Sequence, residues 1–124
     1  MAQPQASVRG EMVETTRAVV AAAEAAGVQV TPILADYGLD RATLDDPSQR
    51  LKVGRCDGLW ERLVHASGDP DLGLRAVEHS PFGNFQVIDF LGANSPTVGE
   101  GIQALSRYSH MIHPNLRLST ARDG

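Results

Sequence analysis

EMVETTRAVVAAAEAAG, residues 11–27, is the most strongly patterned stretch of this 124-residue chain. Six alanines fall between Ala18 and Ala26, and alanine is the best helix former. Met12, Thr16, Val19, Val20 and Ala23 recur at helical spacing, which lines them up on one face. The stretch therefore predicts an amphipathic helix over Glu11–Ala26, with Gly27 as its stop.

The same logic extends in both directions. Residues 1–10 are polar and unpatterned, and read as a disordered lead-in. Beyond Gly27, Thr31 followed by Pro32 reads as a cap for a short helix carrying Ile33, Leu34 and Tyr37 to Gly38. Asp40 reads as the cap of one further turn through Leu44, and Asp45 to Ser48 breaks the chain. A third amphipathic helix is predicted over Val53–Ala66, with Cys56, Leu59, Trp60 and Leu63 on its apolar face; Gly54 and Gly58 weaken its start. Asp69-Pro70 opens a helix to about His79, Asn84 one through Leu91, and Ser95-Pro96 a longer one that ends before Pro114. In that last helix Val98, Ile102, Leu105 and Ile112 are the expected inward residues.

Residues 116–120 alternate in the manner of a strand, and Asp123-Gly124 favours a hairpin turn. The expected fold is mainly α, a bundle of about five to seven short helices with a C-terminal β-strand beginning near residue 115. Residues 11–124 then form most of one domain, stopped where a sheet is expected to begin.

Composition narrows the function. At 42% hydrophobic and 21% charged, the chain has enough apolar residues for a core. The net charge is −4, and the two halves carry seven basic against nine acidic and four against six side chains. Neither half is basic, so the chain does not grip DNA phosphates unaided. One cysteine excludes an intrachain disulfide and multi-cysteine metal sites. No apolar run reaches the length of a membrane span, and no secretory signal is visible. The expected setting is the cytoplasm, with no membrane partner and no cofactor.

The candidate chemical motifs are weak. Gly99 to Ala104 fits a loose dinucleotide pattern, yet it falls inside a predicted helix instead of between a strand and a helix. His110 and His113 share a helix end without a third ligand nearby, so no metal site is expected. His65 and His79 also fall at helix C-termini, where the negative dipole end suits them. Cys56, on an apolar face, reads as an inert thiol, and Asp45-Asp46 as a solvated loop. No catalytic constellation is assembled, and an enzyme is not expected. Of the aromatic residues, Trp60, Phe85 and Tyr108 are the candidates for lining a small-molecule site.

Several stretches carry a family resemblance. Leu39-Asp40 through Leu44-Asp45-Asp46-Pro47, Gly68 through Arg75, Ser95 through Tyr108, and Leu116-Arg117-Leu118 occur in an order that resembles the N-terminal domain of AraC-type transcriptional regulators, in their arabinose-binding-like helical subgroup. The resemblance runs over roughly residues 12–120. Gly101 departs from it, standing where a better helix former is usual. The resemblance implies a bacterial-type regulator segment that senses a small-molecule effector and forms a homodimer. It implies contact with DNA only through a helix-turn-helix domain absent from this chain. The alternative is a free-standing helical protein-interaction module.

Overall fold

Helix α1 (Val13–Ala25) is the element on which most others rest in the computed structural model, which describes residues 10–121. Helices α2 (Val30–Asp36), α3 (Arg41–Asp45), α4 (Leu59–Ser67) and α5 (Leu72–Arg75) pack against it, as does a 3-10 turn over Ala76–His79. Val13, Val19 and Val20 of α1 are fully buried, together with Leu44, Leu51, Leu59, Leu63 and Leu72. Each such side chain contributes about 1.5–3 kcal/mol by leaving water. This group is the core.

Glycine closes the first two helices. After α1, Gly27 adopts φ +90°, its N–H donates to the Glu24 carbonyl, and the Val28 N–H reaches the Ala23 carbonyl. Gly38 repeats the arrangement after α2 at φ +64°. Both ends satisfy orphan carbonyls through a left-handed residue that only glycine takes at little cost.

The mainly α expectation holds, and the strands fall elsewhere than expected. Gly10–Met12 (β1) pairs antiparallel with Arg50–Lys52 (β2), with Glu11 opposite Leu51. Gly10, read as part of a disordered lead-in, is thus in a strand; a Cβ there would lie 2.6 Å from the Arg50 Cβ. The other edge of β1 is also used, since the Met12 N–H donates to the Ile112 carbonyl. Residues 116–121 form no strand among the described residues, and Leu118 is exposed. Residues 1–9 and the Asp123-Gly124 turn lie outside the described residues.

Several predicted helix starts shift, each for a local reason. Helix α2 begins at Val30, with no side-chain cap from Thr31. Helix α3 has the expected cap, with the Asp40 carboxylate accepting from the Thr43 N–H at 2.8 Å. That bond holds the Asp40 carboxyl below its ordinary value. Asp46 accepts from Ser48 and Gln49 in a solvated turn, as its place in the sequence suggests. The predicted Val53–Ala66 helix starts only at Leu59, because Gly54 and Gly58 both turn the backbone to positive φ. Within α4, Leu59 and Leu63 are buried while Trp60 is 39% exposed, outside the apolar face expected to hold it. Asp69 accepts from the Asp71 N–H and from Arg75 instead of capping a helix at Pro70, so α5 starts at Leu72. Asn84 caps nothing, and α6 spans Val87–Ala93.

Helix α7 (Val98–Tyr108) is capped by Thr97, two residues later than Ser95-Pro96 suggests. Thr97 accepts from the Glu100 N–H, and its hydroxyl donates to the Glu100 carboxylate. A 3-10 turn over Ser109–Met111 follows. Helices α6 and α7 pack chiefly on each other. They come close at Gly101, where a Cβ would stand 3.4 Å from the Gly92 carbonyl oxygen. The packed face of α7 therefore runs through Gly101 instead of through Val98 and Ile102. Those two residues, expected inward, are 81% and 42% exposed. Leu105 and Ile112 are half-buried.

A polar joint ties this pair to the body. Arg17 of α1 donates to the Leu44 carbonyl and, at 2.8 Å, to the Asn84 side chain. Gln86 donates to Glu14 at 3.2 Å and to the Pro47 carbonyl. Gln86 adopts φ +56°, a strained value for a residue with a Cβ. Glu14 is 1% exposed, and its second carboxylate oxygen has no partner; neither has the Asn84 side-chain nitrogen. Buried polar atoms left unpaired are costly, so the joint is held by the packing around it.

Candidate functional site

Two cavities lie side by side on α1, and Trp60 and Thr15 line both. The first encloses about 440 Å³ and the second about 450 Å³. Pockets for small molecules commonly span ~300–1,000 Å³. On α4, Leu59 and Leu63 enter the core while Trp60 stays at the surface and lines both hollows.

The first cavity joins the two ends of the described chain. Glu11 and Met12 come from β1, Cys56 and Asp57 from the turn before α4, and Ile112, His113 and Leu116 from the segment after α7. The Nδ1 atom of His113 accepts from the Asn115 N–H at 3.1 Å. Nε2 lies 3.1 Å from Glu11 Oε2 and donates to it. Cys56 is half-buried, and burial, with the Glu11 carboxylate nearby, pushes its thiol up. A thiol so placed is a poor nucleophile at neutral pH.

The second cavity is lined mainly by apolar residues. Ala18, Val19, Ala76, Val77, Phe82 and Phe85 form most of its walls. Thr15, Ser80 and Asp89 supply polar atoms. Asp89 of α6 accepts from the Gly83 and Phe85 N–H groups at 2.8 and 3.0 Å, so this carboxylate shapes the turn that carries Phe85. The Phe82 ring meets that of Phe90 edge-on, with centroids 5.0 Å apart.

Of the three aromatic candidates, Trp60 and Phe85 meet at the second cavity; Tyr108, 38% exposed on α7, lines neither. Sequence reasoning missed Glu11, Asp57, His113 and Asp89. Glu11 and His113 lie at opposite ends of the described chain, and nothing in their local sequence pairs them. His110 is exposed, and His113 is turned to Glu11 and Asn115. Among the described residues no three His, Cys, Asp or Glu side chains stand where they could hold a metal. Gly99 to Ala104 lies in the first turns of α7, with no strand before it. Among the described residues no helix is long and apolar enough to cross a membrane.

No curated protein and no solved structure matches the chain. One family profile does. It is described as the arabinose-binding domain of AraC transcription regulator, N-term, and it matches residues 27–124.

Proposed function

The chain belongs to the family of N-terminal arabinose-binding domains of AraC transcription regulators, and from this premise we propose that it senses a small effector in the paired cavities beside Trp60. The observation that carries the reading is the pair of ligand-sized hollows meeting at one half-exposed tryptophan. An acidic domain with no basic half suits a sensor whose DNA contacts are made by a separate helix-turn-helix module.

The second cavity supplies a route for the signal. Its wall includes Phe82 and Phe85 in the turn that leads into α6, and Asp89 of α6 itself. An effector seated there bears on the joint that carries the α6–α7 pair. It shifts that joint only by its differential affinity for the two arrangements. The output is a change in homodimer geometry through α6–α7, whose exposed Phe90, Val98 and Ile102 favour contact with a second copy. The same exposed residues favour the alternative of a protein-interaction module.

Trp60 is the chain's single tryptophan and Cys56 its single cysteine, so each cavity has a reporter. Effector candidates (amino acids, fatty acids, sugars and amines) are to be titrated while Trp60 emission, Cys56 alkylation and the melting temperature are followed. A true effector changes Trp60 emission and raises the melting temperature with its concentration. Protection of Cys56 then assigns it to the first cavity. A panel in which no compound moves either reporter of the folded protein counts against small-molecule sensing.

A further inference from the structure

We infer that the effector is an organic cation on an apolar body, such as an aryl-alkyl ammonium, and neither a sugar nor an acid. This inference rests on the effector-site reading above and specifies its chemistry. Three carboxylates line the cavities, Glu11 and Asp57 in the first and Asp89 in the second, while no Arg or Lys lines either. Several basic side chains of the body have partners outside the cavities. Arg41 pairs with Glu24, Arg62 with Asp36 and Arg75 with Asp69. Arg17 and Arg55 are spent on backbone carbonyls and Asn84. Glu11 meets the His113 ring at 3.1 Å, and no Arg or Lys side chain lines the cavity to pair with it.

The three ligand classes fare differently in such a site. An acid would bring its charge beside like charges with no guanidinium or ammonium in the cavity lining to receive it. A sugar needs a partner for each hydroxyl, and the second cavity has few to offer. There the Ser80 hydroxyl already donates to the Ala76 carbonyl, and Asp89 Oδ2 already accepts two backbone N–H groups. A cation meets carboxylates on both sides of Trp60, whose ring face is itself attractive to it. Its apolar body fills the hollow lined by Val19, Val77 and Phe85.

The test is a matched series of 4-phenylbutylammonium, 4-phenylbutanol and 4-phenylbutanoate, with L-arabinose beside them, titrated against Trp60 emission of the 124-residue chain. The ammonium is expected to bind about tenfold more tightly than the alcohol, since one desolvated cation–π contact with a neighbouring carboxylate is worth about one decade, and the carboxylate most weakly. Asp57→Asn, an exposed turn substitution, is expected to weaken the ammonium and leave the alcohol unchanged, and added salt to do the same. Equal or tighter binding of the alcohol, the carboxylate or arabinose overturns the cationic inference and leaves the cavity reading standing. Unchanged ammonium affinity in the Asp57→Asn, Glu11→Gln double variant overturns it as well. Silence from all four probes on folded protein overturns the cavity reading too.

Discussion

The body around α1 and the α6–α7 pair are built from similar amphipathic helices, yet they bury their apolar stripes to very different degrees. In the body the stripes of α1 and α4 meet, and Val13, Val19, Leu59 and Leu63 are all withdrawn from water. From Leu74 onward many large apolar residues are exposed or half-buried, and among the described residues there Ile88 is the large one that is buried. The difference is one of partners. Helix α1 is covered on several sides, whereas α6 and α7 mainly have each other. A stripe in the sequence states that a face wants cover; it does not say whether the same chain supplies it.

Leu63→Ala attacks the body where cover is complete and has the largest expected effect. A fully buried leucine truncated to alanine costs about 2–5 kcal/mol, read as a lowered denaturant midpoint with unchanged slope. A loss below about 1 kcal/mol would mean that α4 does not hold its place against α1.

Gly101→Val attacks the pair where the two helices come close. The new side chain meets the Gly92 carbonyl and the Ser95 side chain, and forcing α7 away costs about 1–3 kcal/mol. Its signature is local: amide exchange quickens in α6 and α7 and stays slow in α1. Uniform acceleration across both regions would instead make them one cooperative unit and remove the contrast.

How much of this was legible in the sequence follows from where each element gets its stability. Helix α1 announces itself because its alanines favour a helix before any contact forms. The Asp40 cap is equally local, needing only Thr43 three residues on. The strands at Gly10–Met12 and Arg50–Lys52 have three residues each and exist through their pairing, which no local pattern records. The alternation at residues 116–120 fails for the converse reason, because alternation allows a strand but does not provide a neighbour. At the site, Trp60 and Phe85 stood out as large aromatics in an aromatic-poor chain. The Glu11–His113 contact did not, since it arises only when β1 and the segment after α7 come together.

Trp60→Ala sharpens the contrast from the side of the site. A buried tryptophan would cost about 3–5 kcal/mol on truncation; one that is 39% exposed between two hollows is expected to cost about 1–2 kcal/mol. The variant should stay folded while losing effector response. A full core penalty would instead return Trp60 to the apolar face that the sequence suggested.

Ile102→Ser has the smallest expected effect on the isolated chain and tests the comparison most directly. Ile102 is 42% exposed on α7, so its replacement should change monomer stability by no more than about 0.5 kcal/mol. If the outward stripe is covered by a second copy, the same substitution shifts sedimentation equilibrium toward monomer at concentrations where the unaltered chain associates. The two readouts separate the explanations. Lost stability with unchanged association places Ile102 in an intramolecular core. Unchanged stability with weakened association makes α7 a face whose partner lies outside its own chain, which is how one region can be well packed and the other left open in a single small protein.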